Sequence, residues 1–284
     1  MRRILLLLIG LPILIALGTI GWGYAEAVRT PVVRHGMIAL PRWPVGAPPL
    51  KVALLSDIHV AGPDMSPARL ARIVAQVNGE RPDLVLIAGD LVSDKRGATR
   101  RYGVAESVAP LRGLRARLGV VAVLGNHDHW RDTQAFHRAL RGIGITVLAN
   151  DAARRGPITI AGIDDHYSHH ADVGATMRAV RALGGPVIAL SHSPDVAPAL
   201  PAAVPLFAGH THCGQIRLPL VGRPATMSRY GERYACGLIR EGERTVLVGA
   251  GLGTSVVPLR IGVPPDFWVV TVGKRSEAAG PTTM

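Results

Sequence analysis

The chain has little cysteine, few aromatics and almost no lysine. Its two cysteines in 284 residues, Cys213 and Cys236, make no disulfide framework, and their spacing has no zinc-finger character. They are expected to be free, although an oxidising compartment would let them pair. Aromatics are 4% of the residues, so the core must rest on Val, Leu, Ile and Ala. Lysine occurs only at Lys51, Lys95 and Lys274, so nearly all of the positive charge behind the formal +12 is arginine. That bias reflects either codon composition or attraction to anionic substrates or an anionic membrane surface. No dense basic run carries interleaved aromatics, which disfavours nucleic acid as a partner. No internal repeat is evident. The length and the 48% hydrophobic content suit one large domain or two small ones.

Charge is also missing from one long stretch. Ile4 to Tyr24, directly after Arg2 and Arg3, contains none. About twenty apolar residues cross a bilayer as a helix, and Pro12 and the glycines are tolerated there. Residues 1–27 read as an N-terminal membrane anchor, a transmembrane helix. A cleaved signal sequence is the rival, because Ala25-Glu26-Ala27 has the A-x-A form, but signal cores usually run only about 7–15 residues. Arg2 and Arg3 favour an inside N-terminus, with the rest on the outer, periplasmic face of a bacterial inner membrane. Arg29, Arg34 and Arg42 oppose that orientation. Residues 28–50, with Pro31, Pro41, Pro44, Pro48 and Pro49, read as a linker or edge segment. Residues 51–273 form the main domain, and 274–284 a disordered tail.

Within the main domain, short apolar runs alternate with polar clusters and amphipathic stretches. Strands are predicted at 52–55, 84–88, 120–124, 145–148, 158–161, 187–190, 204–208, 245–248 and 267–272. Helices are predicted at 67–78, 104–118, 132–141 and 174–183. Ser66 is a good N-cap and Pro67 suits a first helical position. The pattern is α/β, with strands buried on both faces. In such sheets ligands collect at the carboxyl ends of strands. Here those ends carry Asp57, His59, Asp90, Asn126, His127, Asp128, His192, His210 and His212. Independent turns would not repeat a carboxylate, an imidazole or an amide in this way. These groups suit borderline or hard divalent metals. Seven side chains are too many for one tetrahedral ion, and they fit two.

The segments Asp57-x-His59, Gly89-Asp90, Gly125-Asn126-His127-Asp128, His192 and Gly209-His210-Thr211-His212 resemble the calcineurin-like metallophosphoesterases, in that order, over about Lys51 to Val272. The segments at 209–222 and 251–270, behind an apolar N-terminus, resemble the bacterial membrane-associated phosphodiesterases of that superfamily. The resemblance implies a four-layer αββα sandwich of two mixed sheets. It implies that Asp57, His59 and His212 hold one metal, Asn126, His192 and His210 a second, and that Asp90 bridges them. Mn, Zn, Fe and Co all suit that donor mixture. The implied reaction is hydrolysis of phosphodiester or pyrophosphate bonds by in-line attack of a hydroxide held between the metals. His127 would serve as donor or general acid, and Asp128 would hydrogen-bond and orient it. The implied substrate is a phosphorylated small molecule or a lipid-linked, cell-envelope one. The alternatives are a phosphomonoesterase or protein phosphatase, and a non-catalytic scaffold. Oligomeric state is not legible.

Three features stand apart. His129 reads as cleft wall or surface. The Asp/His-rich segment 164–170 reads as a solvated loop near the cleft, with a third metal site as its rival. Arg223, Arg229 and Arg260 are candidates for contact with phosphate, as any of the arginines is.

Overall fold

The computed structural model describes residues 2–274, with side chains described from Gly10 onward; the tail expected at 274–284 lies, apart from Lys274, outside the described residues. The chain opens with α1 (Arg2–Val28). Its part Gly10–Val28 is 19 residues of mean hydropathy 1.4, long and apolar enough to cross a membrane. Leu11, Leu14, Ile15, Leu17 and Ile20 are exposed. Among the described residues, the body holds the end of the helix: the Arg260 amide donates to Gly23 O at 2.9 Å. Arg69 donates to Ala27 O and Arg29 O, each at 3.0 Å.

Two six-stranded mixed sheets follow. The first has the order β1 (Val32–Ala39), β12 (Asp266–Gly273), β2 (Leu50–Leu55), β3 (Leu84–Ala88), β4 (Val120–Val123), β5 (Thr146–Val147). The second has the order β10 (Gly237–Glu241), β11 (Arg244–Val248), β9 (Leu206–Ala208), β8 (Val187–Leu190), β7 (Ile158–Gly162), β6 (Asp151–Arg155). β2 through β5 run parallel, as do β7, β8, β9 and β11. Their carboxyl ends therefore share one edge of each sheet.

Strand alternation builds the layers, because successive side chains point to opposite faces. In β2, Val52 and Leu54 face the second sheet with Leu84, Leu86, Val121 and Val123, where they meet Ile160, Ile188, Leu190 and Phe207. Ala53 and Leu55 face the other way, with Val85 and Ile87, towards Leu70, Ile73 and Val77 of α2 (Pro67–Gly79) and Phe136 and Leu140 of α4 (Asn126–Gly142). Ala189, Leu206 and Val246 face Val180 of α5 (Val173–Leu183). The result is an αββα sandwich with apolar side chains between each pair of layers. Each fully buried Val, Leu or Phe contributes about 1.5–3 kcal/mol.

Several elements differ from expectation. The helix predicted over 104–118 is only α3 (Val104–Val108) and a 3-10 turn, Ala109–Gly113. Pro110 supplies no N–H to continue an α-helix and its ring crowds the preceding turn. The segment read as linker or edge holds an edge strand at 32–39, β1, paired in parallel with β12, which is no departure from that reading. Strands β6 and β10 were not predicted. The helix predicted from Asp132 begins earlier, at Asn126, and kinks at Asp132 (φ −173°, ψ 90°), whose carboxylate caps the second half through Ala135 N at 2.9 Å. The cysteines are not free: Cys213 and Cys236 form a disulfide, with Cα atoms 4.7 Å apart, although 23 residues separate them in sequence.

Candidate metal centre

At the shared edge the chain leaves its strands through left-handed turns built on side-chain-bearing residues. Asp57 (φ 48°), His59 (50°), Asp90 (54°), His210 (69°) and His212 (50°) all adopt positive φ. A Cβ crowds the carbonyl in this region, and non-glycine residues held there cluster at functional sites. Two glycines make room for the donors. A Cβ on Gly125 would run into the Asp90 carboxylate, and one on Gly209 into Asp57 and Ser56. Hence Gly stands before Asn126 and before His210.

All seven side chains read as ligands converge there, and all are buried. His59 Nε2 lies 2.9 Å from His212 Nε2 and 3.4 Å from Asp90 Oδ2. Asp90 Oδ2 is also 3.3 Å from His192 Nε2, so this one oxygen stands between two imidazoles. His192 Nε2 is 3.1 Å from Asn126 Oδ1 and 3.2 Å from His210 Nδ1. Asp57 Oδ1 is 3.5 Å from His212 Nε2, and both Asp57 oxygens accept the His210 amide at 2.9 and 3.0 Å. Three overlapping donor groups result, Asp57–His59–His212, Asp57–Asp90–His192 and His59–Asp90–His127.

The hydrogen bonds at the backs of the rings bear on metal binding. His59 Nδ1 meets Val92 O at 3.0 Å, His192 Nδ1 meets Ala88 O at 2.7 Å, and His210 Nε2 meets Met227 O at 3.2 Å. A carbonyl accepts only, so each of these nitrogens donates, and in the neutral ring the other nitrogen offers a lone pair to the cluster. An outer hydrogen bond of this kind orients a ligating imidazole. The His212 ring instead has the Arg260 guanidinium 3.5 Å from Nδ1.

Electrostatics favour a cation here. Burial pushes the Asp57 carboxyl up to about 7, against the pull of His192 and with the charge of Asp90 adding to the rise. Burial opposes ionisation of Asp90 as well, yet His192 and His59 outweigh it and hold that carboxyl well below the usual range. Conversely, Asp90 and Asp57 raise His192 well above the ordinary imidazole value despite burial. Burial lowers His59 and His212, and with His192 lowers His210 to about 4. Two buried carboxylates that draw a proton onto His192 would draw a divalent ion in its place. The donor set fits two such ions, each site drawing on oxygen and nitrogen.

His127 lies at the cleft side of the cluster. Its ring sits edge-on to His59, 5.0 Å between centroids, and its amide donates to Asp90 Oδ1 at 2.9 Å. Its Nδ1 is buried without a hydrogen-bond partner, Asp94 Oδ2 being 3.5 Å away. Asp128 does not orient this ring as expected. Its carboxylate accepts from Leu91 N at 2.8 Å and Gly125 N at 3.0 Å. The physical reason is that Gly125-Asn126-His127-Asp128 opens a helix, and an acidic residue at the third helical position reaches back to the capping amide. The signal was present in the sequence, an acid three residues after a glycine cap. Burial, with the charge of Asp90, pushes Asp128 up to about 7.

The cluster opens into a cleft of about 670 Å³, lined by His127, Trp130, Tyr167, Ile216, Met227 and Val256 among others. His129 Nε2 binds Asp164 at 2.7 Å and its ring stacks on His170, so it ties α4 to the 164–170 loop. Tyr167 of that loop reaches over His210, 4.7 Å between centroids. Arg260, a candidate for phosphate by sequence, is fully buried and donates to Ala250, Gly251, Gly253 and Val263 carbonyls. Arg223 is engaged by Cys213 O and Glu232. Arg260 is a support that sequence reasoning missed, because Gly-Pro-rich flanks gave no sign that it is buried.

Residues 50–214 match the calcineurin-like phosphoesterase family, and the matched span contains every one of these donors. This chain belongs to that family. Among calcineurin-like phosphoesterases it is 33% identical to a "transmembrane protein with metallophosphoesterase domain" of Danio rerio, over 84% of this chain and 57% of that one. It is 31% identical to the Bos taurus protein of the same name, over 84% and 56% respectively. It thus spans little more than half the length of these two relatives. It is 30% identical to the uncharacterised metallophosphoesterase YkuE of Bacillus subtilis (strain 168), over 89% of this chain and 90% of that one.

Proposed function

We propose that this chain is a membrane-anchored, two-metal phosphoesterase that cleaves phosphodiester or pyrophosphate bonds, on a lipid-linked or cell-envelope substrate. The observation that carries the reading is the burial and convergence of seven donor side chains, Asp90 among them between His59 and His192. Asp57, His59 and His212 would hold one ion, Asn126, His192 and His210 the other, and Asp90 both. Bound divalent ions would activate water and offset the charge that builds on the phosphoryl group. Mn, Zn, Fe and Co remain equal candidates by ligand type. The protein's part is to hold these donors and exclude bulk water. His127 offers a ring nitrogen towards the cleft, to donate to a phosphoryl or leaving oxygen. Asp128 acts as a positioning residue, holding the helix turn from which His127 projects.

α1 supports the membrane anchor, and relatives named as transmembrane proteins are in keeping with it. The Cys213–Cys236 bond supports a domain outside the cytoplasm, where disulfides persist. A reporter fused at the C-terminus should signal from the periplasm, and a cytoplasmic signal would refute this orientation. The main test is metal-loaded protein given bis-p-nitrophenyl phosphate and p-nitrophenyl phosphate. The diester should turn over faster. Faster monoester turnover would favour a phosphomonoesterase or protein phosphatase, and no turnover with metal bound would favour a scaffold. His127→Ala should keep both ions while turnover falls by roughly 10²–10⁴. Loss of metal would make His127 a ligand instead.

A further inference from the structure

Two loops at the mouth of the cleft carry apolar side chains at their tips. One is a tight hairpin, closed by Leu218 N to Gly222 O at 2.9 Å and Gly222 N to Leu218 O at 3.0 Å. Within it Leu220 is fully exposed and Val221 is 70% exposed. The other presents Val256, 66% exposed, beside Val257. Exposed apolar side chains of this size are costly in water, and these stand on two loops that border one cleft.

The loops are fastened to each other. Arg217 N donates to Ile261 O at 2.8 Å, and Ile261 N to Gln215 O at 3.2 Å. The Gln215 side chain spans the gap, accepting from Ser255 N at 2.9 Å and donating to Val257 O at 3.0 Å. The same unit is fastened to α1. Arg260 N donates to Gly23 O, and a Cβ on Gly23 would stand 3.4–3.5 Å from Arg260 O, Leu259 and Ile261. The contact lies between Trp22 and Tyr24, residue types that settle at the water–lipid boundary. Above that level α1 has open space around Leu14, Leu17 and Ile20. Exposed Arg217, at the base of the hairpin, would meet anionic headgroups.

We propose that Leu218, Leu220, Val221 and Val256 form a membrane-docking rim, inserted at the headgroup–acyl boundary of the bilayer that holds α1. The occupant of this apolar surface is the lipid itself. Ile216, Val256 and Val257 belong both to the fastened loops and to the cleft lining, so the cleft opens at the lipid surface. A substrate with an acyl anchor would present its phosphate there without leaving the membrane. The inference rests on the reading of α1 as a membrane helix, and its test separates the two.

Full-length protein is reconstituted into vesicles of phosphatidylcholine and phosphatidylglycerol. An environment-sensitive fluorophore is attached, one variant at a time, through Leu14→Cys, Leu220→Cys or Arg115→Cys, and quenched by lipids spin-labelled high on the acyl chain. Arg115 lies at the opposite edge, where β4 begins. Labels at 14 and 220 should shift to the blue and be quenched several-fold more than the label at 115. Val221→Cys repeats the measurement should Leu220→Cys fold poorly. If the label at 14 is quenched while those at 220 and 221 match 115, the rim is overturned and the anchor stands. If the label at 14 is itself unquenched, the anchor fails and the rim with it. With Leu220→Asp and Val221→Asp in place, a label at Val256→Cys should lose its quenching, and unchanged quenching would also count against the rim.

Discussion

The two ends of the sandwich turn their chains in different ways. Where the parallel strands begin, most left-handed positions are glycine, Gly46, Gly119, Gly144, Gly156, Gly184, Gly185 and Gly242, with Arg42 and Arg81 the exceptions. Where the strands end, Gly89 and Gly251 are joined in the same conformation by Asp57, His59, Asp90, His210 and His212. A side chain there costs about 1–2 kcal/mol per residue. At the first end nothing is asked of the turn, and glycine removes the cost. At the second the side chain is the donor, so the backbone accepts the cost and neighbouring glycines yield space. The comparison separates turns that serve the fold from turns that serve the chemistry.

Asp90→Asn should have the largest effect of any change that tests this separation. Removing charge from the oxygen between His59 and His192 should lower bound metal, measured by elemental analysis. Diester hydrolysis should fall by more than about 100-fold, the upper range for changes one shell further out. A variant with full metal content and an unchanged rate would end the two-metal reading. A pair of alanine substitutions should show a smaller contrast. Gly125→Ala pushes a methyl into the Asp90 carboxylate. It should cost about 1–3 kcal/mol in denaturant unfolding and release metal as well. At Gly144 (φ 83°) an added Cβ meets nothing within 4 Å. Gly144→Ala should therefore cost about 1–2 kcal/mol from backbone strain alone and leave metal content intact. Metal loss in both would show that the two ends are not independent.

The smallest effect concerns His129, which joins α4 to the 164–170 loop. Burial works against its charge, but the hydrogen bond and charge of Asp164 outweigh it and raise its pKa. The stabilisation is thus complete below the unfolded value of about 6.5 and is lost as pH rises through the higher folded value. Asp164→Asn should flatten that part of the pH dependence of the unfolding midpoint. An identical pH profile in the variant would show that the pair does not link the loop to the helix.

Sequence and structure agree best in the interior. β2, β3, β4, β8 and β12 are apolar runs buried by neighbours on both faces, and their composition declares them. Three of the four sheet edges declare themselves least, β1, β6 and β10, while β5 falls within the strand predicted at 145–148. β6 reads Asp-Ala-Ala-Arg-Arg, with no β-branched residue, and owes its conformation to β7. β1 pairs with β12 from the other end of the chain, beyond the reach of any local pattern. The donors were legible because each follows a buried strand. The bond between Cys213 and Cys236 was not, since spacing alone does not show that Thr211 Oγ1 reaches Ala235 O at 2.7 Å and brings the two segments together. The contact of Asp128 with Gly125 had its signal in the sequence but went unread, because the helix was predicted to start only at Asp132.

The disulfide makes a closed ring of the chain that begins one residue after His212. Within the ring lie Gln215, the 218–222 hairpin and the Met227 carbonyl. Such a ring can change circumference at little cost, since each doubling of a flexible loop adds only about 0.6 kcal/mol. The entrance to the cleft can therefore vary in length and chemistry between Leu218 and Ala225 while both anchor points stay fixed beside the donors. In evolutionary terms, the ring uncouples what the protein admits from what it does.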